Sequence, residues 1–309
     1  MRHFRFTTML AGALALLVGS GAFAQAGAQA ASWKASDCES CHDKALTPAY
    51  NKSAHAKVEQ ACAKCHNDVD AHFKAQSEGK DGPVPSLKKM KAADLNANCL
   101  SCHEKGNQES YVSGMHARRN VSCASCHSVH SPKSATAQLK TKSDAETCYA
   151  CHKTQRAQMN RTSHHPVREG KMGCSSCHNP HEGNTPKMVK AETATELCYS
   201  CHTEKRGPFL FEHAPVREDC ATCHNPHGSN HMRMLNQKMP NLCWGCHLTG
   251  SGHFGSLDKY ATEQGVTIAP TGAPSGYPTV NSRFVGRSCA NCHLNIHGSN
   301  SPSGAYFIR

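Results

Sequence analysis

The chain has few of the side chains that build an ordinary protein core. Hydrophobic residues make up 38% of its 309 residues and aromatic residues 6%, whereas ordinary globular domains are about 45–50% apolar. Beyond the N-terminal segment, no stretch approaches the roughly 18 apolar residues of a candidate membrane-spanning helix. We therefore expect neither a large side-chain core nor a transmembrane helix in the mature chain. Something other than side chains must fill the interior.

The sequence also lacks the short motifs of several enzyme classes. It contains no G-x-S-x-G nucleophile elbow, no H-E-x-x-H metal motif and no Gly-rich phosphate loop. Nothing in it therefore indicates a serine hydrolase, a metalloprotease or a nucleotide-binding enzyme.

The N-terminus has the pattern of a secretory signal peptide. Arg2 and Arg5 give it positive charge, residues 9–18 are apolar, and small residues at 22–24 and 28–30 offer cleavage sites. We expect a signal peptide at 1–24, with an alternative cleavage site after residue 30. Export would place the mature chain in an oxidising compartment.

The formal net charge is +11, a balance that is found in many nucleic-acid-binding proteins. Export argues against that class of partner. The lysines are also scattered, and only the stretch with Lys88, Lys89 and Lys91 resembles a cluster. We expect no nucleic-acid partner.

All 20 cysteines fall in ten C-x-x-C-H units. Two thiols at this spacing can each form a thioether with one vinyl group of a haem, and the next histidine can reach the iron from the same side. A zinc site needs a second ligand pair at a set distance, and a thioredoxin-like motif is not repeated. Structural disulfides do not require the histidine. We therefore predict ten covalently bound haem c groups.

The predicted attachment residues and proximal iron ligands follow directly from these ten motifs. The attachment residues are Cys38, Cys41, Cys62, Cys65, Cys99, Cys102, Cys123, Cys126, Cys148, Cys151, Cys174, Cys177, Cys198, Cys201, Cys220, Cys223, Cys243, Cys246, Cys289 and Cys292. The proximal ligands are His42, His66, His103, His127, His152, His178, His202, His224, His247 and His293.

Ten haems would account for two odd features of the composition. The porphyrins would form the core, with the polypeptide wrapped around them, so few apolar side chains are needed. Each haem also carries two propionates, and the lysines and arginines would supply the opposite charge that a tight site requires.

Histidine is present in excess over the predicted irons. Of the 23 histidines, ten are proximal and His3 lies in the predicted signal peptide, which leaves twelve for ten distal positions. A haem enzyme needs an open coordination position, and the C-x-x-C-K variant found in multihaem nitrite reductases is absent. We therefore predict bis-His irons of low potential and an electron-transfer protein, not an enzyme.

The segment CATCHNPHG at 220–228 contains a second histidine, His227, and the same arrangement recurs at His130 and His181. Axial histidines on opposite faces of one haem have Cα atoms about 12 Å apart, whereas three residues span at most about 10–11 Å. His227 therefore cannot easily reach the iron held by His224. We predict that these histidines serve neighbouring haems.

The motifs are organised as an internal repeat of five two-haem units. Units 2 to 5 begin at Cys99, Cys148, Cys198 and Cys243, and a looser unit 1 begins at Cys38. Each contains two C-x-x-C-H motifs with a histidine in the loop between them, and unit 3 has two there, His164 and His165. For unit 1 the further histidine is His72, six residues beyond His66.

Local patterns favour short helices joined by irregular segments. Ser143–Glu146 and Thr193–Glu196 resemble capping boxes before the first motifs of units 3 and 4. Elsewhere Pro, Gly, Asn and Ser interrupt the chain, and no alternating apolar run predicts a sheet. We expect a multihaem cytochrome c fold, mostly irregular, with short α-helices, little β structure and a haem-packed core. The long 248–288 segment reads as a surface loop or a partner-binding surface.

With the motifs placed, the sequence resembles the decahaem c-type cytochromes of the MtrA/DmsE type. The stretches that carry this resemblance include CYSCHTEKRGP at 198–208, TCHNPHGS at 222–229 and GRSCANCH at 286–293. The resemblance implies an elongated chain of bis-His haems in two pentahaem halves, 25–160 and 161–309.

The same resemblance implies a role in anaerobic respiration. Members of this family are periplasmic electron conduits held in an outer-membrane β-barrel porin, often with an outer-surface multihaem cytochrome beyond it. A periplasmic or inner-membrane c-type cytochrome is the expected redox partner on the other side. Some members serve extracellular metal or dimethyl sulfoxide reduction, and others serve iron(II) oxidation. The alternatives are a soluble periplasmic electron shuttle or store, and a multihaem oxidoreductase with one open iron.

The distal ligands that the resemblance implies are His55, His72, His116, His130, His165, His181, His213, His227, His253 and His297. One assignment has an alternative. The family pattern places a histidine directly before proline, which selects His165, whereas the internal repeat aligns His164 with His213. His164 and His231 are then the two spare histidines.

A pyridine haemochrome assay tests the motif count. We expect ten haems per chain, because each C-x-x-C-H unit can attach one haem, and the pure ferric protein should be low-spin throughout. A count well below ten would contradict the interpretation of the cysteines.

Overall fold

The structure is a computed structural model that describes residues 33–308, except 45–46, 85, 135, 182–183, 248–266, 269–279 and 282–287. The predicted signal peptide, His253 and most of the 248–288 segment lie outside the described residues.

The described chain is mostly irregular, with short helices. The α-helices are α1 (Ala35–Glu39), α2 (Pro48–Asn51), α3 (Ala61–Cys65), α4 (Val69–Ser77), α5 (Ala92–Leu100), α6 (Met115–Arg118), α7 (Cys123–Cys126), α8 (Asp144–Tyr149), α9 (Lys153–Met159), α10 (Ala194–Tyr199), α11 (Ala214–Glu218) and α12 (Asn241–Trp244). The predicted fold class, with short helices and an irregular chain, is confirmed. None of the helices in the described ranges is long and apolar enough to cross a membrane.

Single turns of 3₁₀ helix and one small β ladder complete the secondary structure. The 3₁₀ turns are His55–Lys57, Leu87–Lys89, Gly106–Gln108, Tyr111–Ser113, Cys174–Ser176, Pro186–Met188, Thr203–Lys205, Cys220–Thr222, Met232–Met234, Cys289–Asn291 and Gly304–Tyr306. Strands β1 (Thr267–Ile268) and β2 (Val280–Asn281) pair antiparallel. The expectation of little β structure is thus confirmed.

The two predicted helix starts have the expected N-caps. Ser143 Oγ accepts from the Glu146 amide at 3.2 Å, and Thr193 Oγ1 accepts from the Glu196 amide at 3.1 Å. The second half of the capping box differs in unit 3, because the Glu146 carboxylate accepts from the Lys142 amide at 3.1 Å. The cap therefore reaches one residue further back than the motif predicts.

Side chains alone do not form a continuous core in the described part of the chain. Its buried hydrophobic residues are spread along the sequence, and no large side chain there is fully buried. They are Trp33, Tyr50, Val69, Leu95, Tyr111, Met159, Val167, Val189 and Leu235. This distribution fits an interior that is filled by a cofactor.

Within units 2 to 4, a polar side chain on the first-motif helix holds the second motif. Asn96 Oδ1 accepts from the Cys123 amide at 2.8 Å, the Asp144 carboxylate accepts from the Ser175 amide at 2.8 Å, and Thr195 Oγ1 accepts from the Cys220 amide at 3.4 Å. These bonds bring the first cysteines of the two motifs together, as at Cys99 and Cys123.

The chain folds back sharply after the second motifs of units 2, 3 and 4. His127, His178 and His224 form isolated antiparallel bridges with Leu139, Val189 and Leu235. Before each bridge partner stand two consecutive non-glycine residues with positive φ, a conformation that costs energy for residues with a side chain. These are Ala137–Gln138, Lys187–Met188 and Arg233–Met234, with φ between 47° and 59°.

Successive units contact each other through the loop of one unit and a segment of its neighbour. Thr47 Oγ1 donates to the His130 carbonyl, and the side-chain amide of Asn184 donates to Ser110 Oγ at 2.9 Å. Backbone bridges join Ser163 to Ser229 and Phe211 to Ser299. These four links join units 1–2, 2–3, 3–4 and 4–5, so the units follow one another in chain order.

Gly228 lies at the link between units 3 and 4, and a substitution there tests how tightly these units pack. Its φ is +128°, and an added Cβ would overlap the Gln158 carbonyl oxygen, whereas Gly79, with φ of +68°, has nothing within 4 Å. We expect Gly228→Ala to destabilise the holoprotein by about 1–3 kcal/mol, and the control Gly79→Ala by about 1 kcal/mol or less. Guanidinium unfolding followed by Soret circular dichroism measures both. Equal losses would show that Gly228 is not packed as described.

Candidate haem-ligation sites

Nine of the ten predicted proximal histidines each face one predicted distal histidine. The ring centroids lie 5.9–6.4 Å apart. The pairs are His42–His72, His66–His130, His103–His55, His127–His181, His152–His116, His178–His227, His202–His165, His224–His297 and His247–His213.

This separation fits two imidazoles bound to one iron. A metal–imidazole bond of about 2.0–2.1 Å, added to about 1.2 Å from the nitrogen to the ring centre, gives about 6.4 Å between two ligand rings. Ordinary aromatic packing covers the same range. It would not, however, choose one proximal and one distal residue nine times. The histidines therefore have the spacing that bis-His haem c requires.

The predicted tenth pair, His293 with His253, cannot be described in the same way, because His253 lies outside the described residues. His293 itself contacts the Tyr306 carbonyl through Nδ1 at 2.5 Å.

Eight of the nine pairs join two neighbouring units. At each of the four junctions, the loop histidine of one unit faces the first-motif histidine of the next. The second-motif histidine of the first unit faces the histidine that follows the second motif of the next. His55–His103 and His66–His130 are the two pairs at the first junction. Only His42–His72 lies within a unit among the described pairs.

The second histidine of CATCHNPHG takes part in this crossed arrangement. The His227 ring lies 6.0 Å from that of His178, in the preceding unit. His181 faces His127 at 5.9 Å, and His130 faces His66 at 6.1 Å. From the sequence, His227 was expected to ligate a neighbouring haem, but its partner histidine could not be predicted.

The structure places the adjacent His164 and His165 differently. The His165 ring faces that of His202 at 6.4 Å. His164 instead contacts the Arg161 carbonyl through Nδ1 at 2.5 Å and the Glu169 carboxylate through Nε2 at 3.1 Å. The hydrogen bond from His164 lowers the pKa of Glu169 below its ordinary value. Both nitrogens of His164 are thus engaged, and the geometry favours His165 as the ligand.

Backbone carbonyls orient several of the proximal rings. Nδ1 of His127, His178 and His224 lies 2.6–3.0 Å from a carbonyl oxygen. In each case the acceptor is the first of the two left-handed residues in the fold-back loop: Ala137, Lys187 and Arg233. A carbonyl only accepts, so Nδ1 carries the proton and Nε2 keeps the lone pair that would bind iron.

Backbone carbonyls also hold distal rings. Nδ1 of His72 lies 2.9 Å from the Pro83 carbonyl oxygen, that of His116 lies 2.9 Å from Pro180, and that of His165 lies 2.7 Å from Pro226. Sequence reasoning missed all of these acceptors, because any residue supplies a carbonyl. The recurring Asn-Pro-His at 179–181 and 225–227 was the one available signal.

Burial keeps several of the distal histidines neutral. It lowers the pKa of His55, His181, His213 and His227 below the ordinary value, with smaller contributions from neighbouring cationic groups. Burial, followed by the charge of Lys205, lowers the pKa of His297 to about 4. The neutral imidazole is the form that binds a metal.

Aromatic side chains pack beside three of the distal rings. Tyr50 stacks on His130 with centroids 5.2 Å apart, Tyr111 meets His181 at 6.1 Å, and Phe307 meets His213 at 5.6 Å. Tyr50 and Tyr111 are among the few buried hydrophobic residues. These three aromatic side chains therefore support rings that are predicted to be ligands.

None of the twenty cysteines forms a disulfide, and the side chains of consecutive motifs lie near one another. First cysteines interact across the motif pair of each unit, as Cys148 with Cys174 and Cys243 with Cys289. Second cysteines interact across the junctions, as Cys126 with Cys151 and Cys177 with Cys201. The attachment points therefore form a continuous series in chain order.

Comparison with known proteins agrees with the site chemistry. A family model described as a doubled CXXCH motif matches residues 164–207 and 213–251, and a model of the NrfB-like cytochrome c-type protein matches 62–146. The chain is similar to the multiheme cytochrome MtrA of Shewanella baltica (strain OS185). The two are 38% identical over 287 residues, which cover 89% of this chain and 81% of that protein.

The two adjacent histidines offer a matched test of the ligand geometry. His165→Ala should leave one ferric iron per chain five-coordinate, and a high-spin signal should appear in the electron paramagnetic resonance spectrum. His164→Ala should stay low-spin, because His164 faces a carboxylate and a carbonyl. The opposite result, with the high-spin signal only in His164→Ala, would assign the ligand to His164.

Proposed function

We propose that this chain, which belongs to the MtrA family of multihaem c-type cytochromes, carries electrons across the outer membrane inside a β-barrel porin. The chain is an electron-transfer protein with covalently bound haem c. When bound, haem iron supplies a reversible one-electron couple. The proposal concerns the number of haems, the route that electrons take and the membrane in which the protein works.

The observation that carries the proposal is the series of nine imidazole pairs at ligand spacing. Two strong ligands leave no coordination position for a substrate, so this arrangement supports conduction and argues against chemistry at the iron. Together with His253 and His293, the pairs would give ten six-coordinate irons. Burial also favours the neutral ligand form at several distal positions.

The order of the attachment sites supports a single uninterrupted route. Interactions between cysteine side chains connect each motif to the next, from Cys38 with Cys62 at one end to Cys243 with Cys289 at the other. Such a route has two distinct ends, one for a donor and one for an acceptor. We infer that electrons pass the haems in chain order.

The small side-chain core supports a protein sheath around the chain. Most of the backbone is irregular, and lipid cannot satisfy the polar groups of irregular backbone. A β-barrel porin would exclude lipid and bring both ends of the route to opposite faces of the membrane. An outer-surface multihaem cytochrome and a periplasmic or inner-membrane c-type cytochrome are then the proposed partners at the two ends.

The proposed division into pentahaem halves, 25–160 and 161–309, is compatible with the ligand scheme. Among the described pairs, only His127–His181 crosses residue 160. A division at a unit junction would cross two pairs, as His165–His202 and His178–His227 do between units 3 and 4. Any division between the first motif and the loop histidine of one unit is crossed by a single described pair, so this boundary remains a prediction.

Purification and reconstitution test the conduit. Tagged protein extracted with detergent from the outer membrane of its host should bring a porin-sized β-barrel with it. Liposomes that contain this pair and enclose reduced methyl viologen should lose the dye's colour when ferric citrate is added outside. Liposomes with the barrel alone should not. Recovery of the chain only from the soluble periplasmic fraction, without a barrel, would instead indicate an electron shuttle.

A further inference from the structure

We propose that Asn179 and Asn225 are positioning residues, each of which sets the orientation of imidazole ligands at two neighbouring irons. This inference rests on the ligand pairs of the proposed function. It does not depend on the porin or on the direction of electron flow.

The turn at Asn225 is closed by its own side chain. Asn225 Oδ1 accepts from the His227 amide at 3.1 Å, which makes an Asx turn around Pro226. The backbone adds two bonds: the Gly228 amide donates to the Asn225 carbonyl at 3.0 Å, and the Asn225 amide donates to the Met234 carbonyl at 2.8 Å. Three hydrogen bonds therefore fix this turn of the chain.

One turn holds two imidazoles that face different partners. His227 presents its ring to His178 at 6.0 Å, with 25° between the ring planes. The Pro226 carbonyl accepts from Nδ1 of His165, whose ring faces His202 at 6.4 Å. A shift of the turn would therefore move a ligand of one iron and the hydrogen-bond acceptor for a ligand of the next.

The turn at Asn179 repeats this geometry in the preceding unit. Asn179 Oδ1 accepts from the His181 amide at 3.2 Å, and the Pro180 carbonyl accepts from Nδ1 of His116 at 2.9 Å. The His181 ring faces that of His127 at 5.9 Å, with 24° between the planes. Two copies of the turn thus give nearly the same angle.

Unit 2 shows the arrangement without asparagine. Ser128 stands two residues before His130, and its hydroxyl accepts from the Ser131 amide at 3.1 Å. The planes of His130 and its partner His66 are 45° apart, against 24–25° at the two asparagine turns. In unit 2 the side chain thus bonds the amide of Ser131 and not that of His130, and the two imidazole planes are more tilted.

Unit 5 has an asparagine at the same offset but uses it differently. Asn295 donates its side-chain amide to the Ile308 carbonyl at 3.3 Å. The planes of His297 and His224 are 18° apart. The inference is therefore limited to Asn179 and Asn225, where the side chain bonds the amide of the ligand itself.

Ring orientation has a direct electronic consequence. The angle between two axial imidazole planes sets the splitting of the iron d orbitals, and hence the low-spin ferric resonance spectrum. A carbonyl that accepts from Nδ1 raises the basicity of the ligand and tunes the reduction potential. Loss of the Asx turn should therefore change the spectra of two haems without removing either ligand.

The experiment compares Asn179→Ala and four further variants of the holoprotein. Asn225→Ala removes the acceptor, whereas Asn225→Asp keeps it. Pro226→Ala keeps the carbonyl that bonds His165. Asn160→Ala is the matched control, because the Asn160 side-chain amide donates to the Arg156 carbonyl at the end of α9, at 2.9 Å. Haem content by pyridine haemochrome and low-temperature electron paramagnetic resonance are measured for each variant.

For Asn225→Ala we expect ten low-spin haems with shifted resonances for about two of them. Asn225→Asp, Pro226→Ala and Asn160→Ala should match the wild type. Asn179→Ala should shift a different pair of signals. An unchanged Asn225→Ala spectrum, an equal shift in all four variants, or haem loss in Asn225→Ala that Asn225→Asp does not restore would overturn the inference. High-spin iron in the wild type would instead contradict the ligand scheme itself, and absence of a porin would leave this result standing.

Discussion

Imidazole pairing across the junctions between units is the interaction on which the rest of the structure depends. Each proposed iron–imidazole bond closes a long loop of chain, much as a disulfide does, and so limits the unfolded ensemble. At the junction between units 3 and 4, His165–His202 and His178–His227 cross in this way. A chain with so few buried hydrophobic residues relies on these bonds and on the porphyrins they hold, because side chains alone bury too little surface.

Much of this architecture could be predicted from the sequence, because covalent chemistry imposes strict spacing. The motif at Cys220–His224 must place two thiols and one imidazole on a single haem, whatever surrounds it. The helix starts at Ser143 and Thr193 could also be predicted, because an N-cap depends on only a few consecutive residues. The scarcity of apolar residues predicted the lack of a large side-chain core, and the frequent Pro, Gly, Asn and Ser predicted irregular chain between short helices.

The choice of partner for each distal histidine could not be predicted, because it depends on how distant segments meet. Distance argued from the sequence that His227 does not ligate its own haem, yet only the fold brings it to His178. The carbonyl bonded to His224 belongs to Arg233, a non-glycine residue with φ of 59°. No propensity predicts such a residue in a left-handed conformation. The roles of Pro226 and Asn225 were hidden for the same reason.

The crossed pairs also determine how such a chain can change its length. Every inner junction has one loop histidine and one terminal histidine reaching towards the neighbouring unit, as His55 and His130 do at the first. If a whole unit is removed or duplicated, each loop or terminal histidine still meets a matching histidine in its new neighbour. If a single motif is removed, a histidine on each side loses its partner. His42–His72, which closes within its own unit, acts as an end cap of the kind that repeat proteins need. A series of haem sites built in this way can gain or lose haems only two at a time.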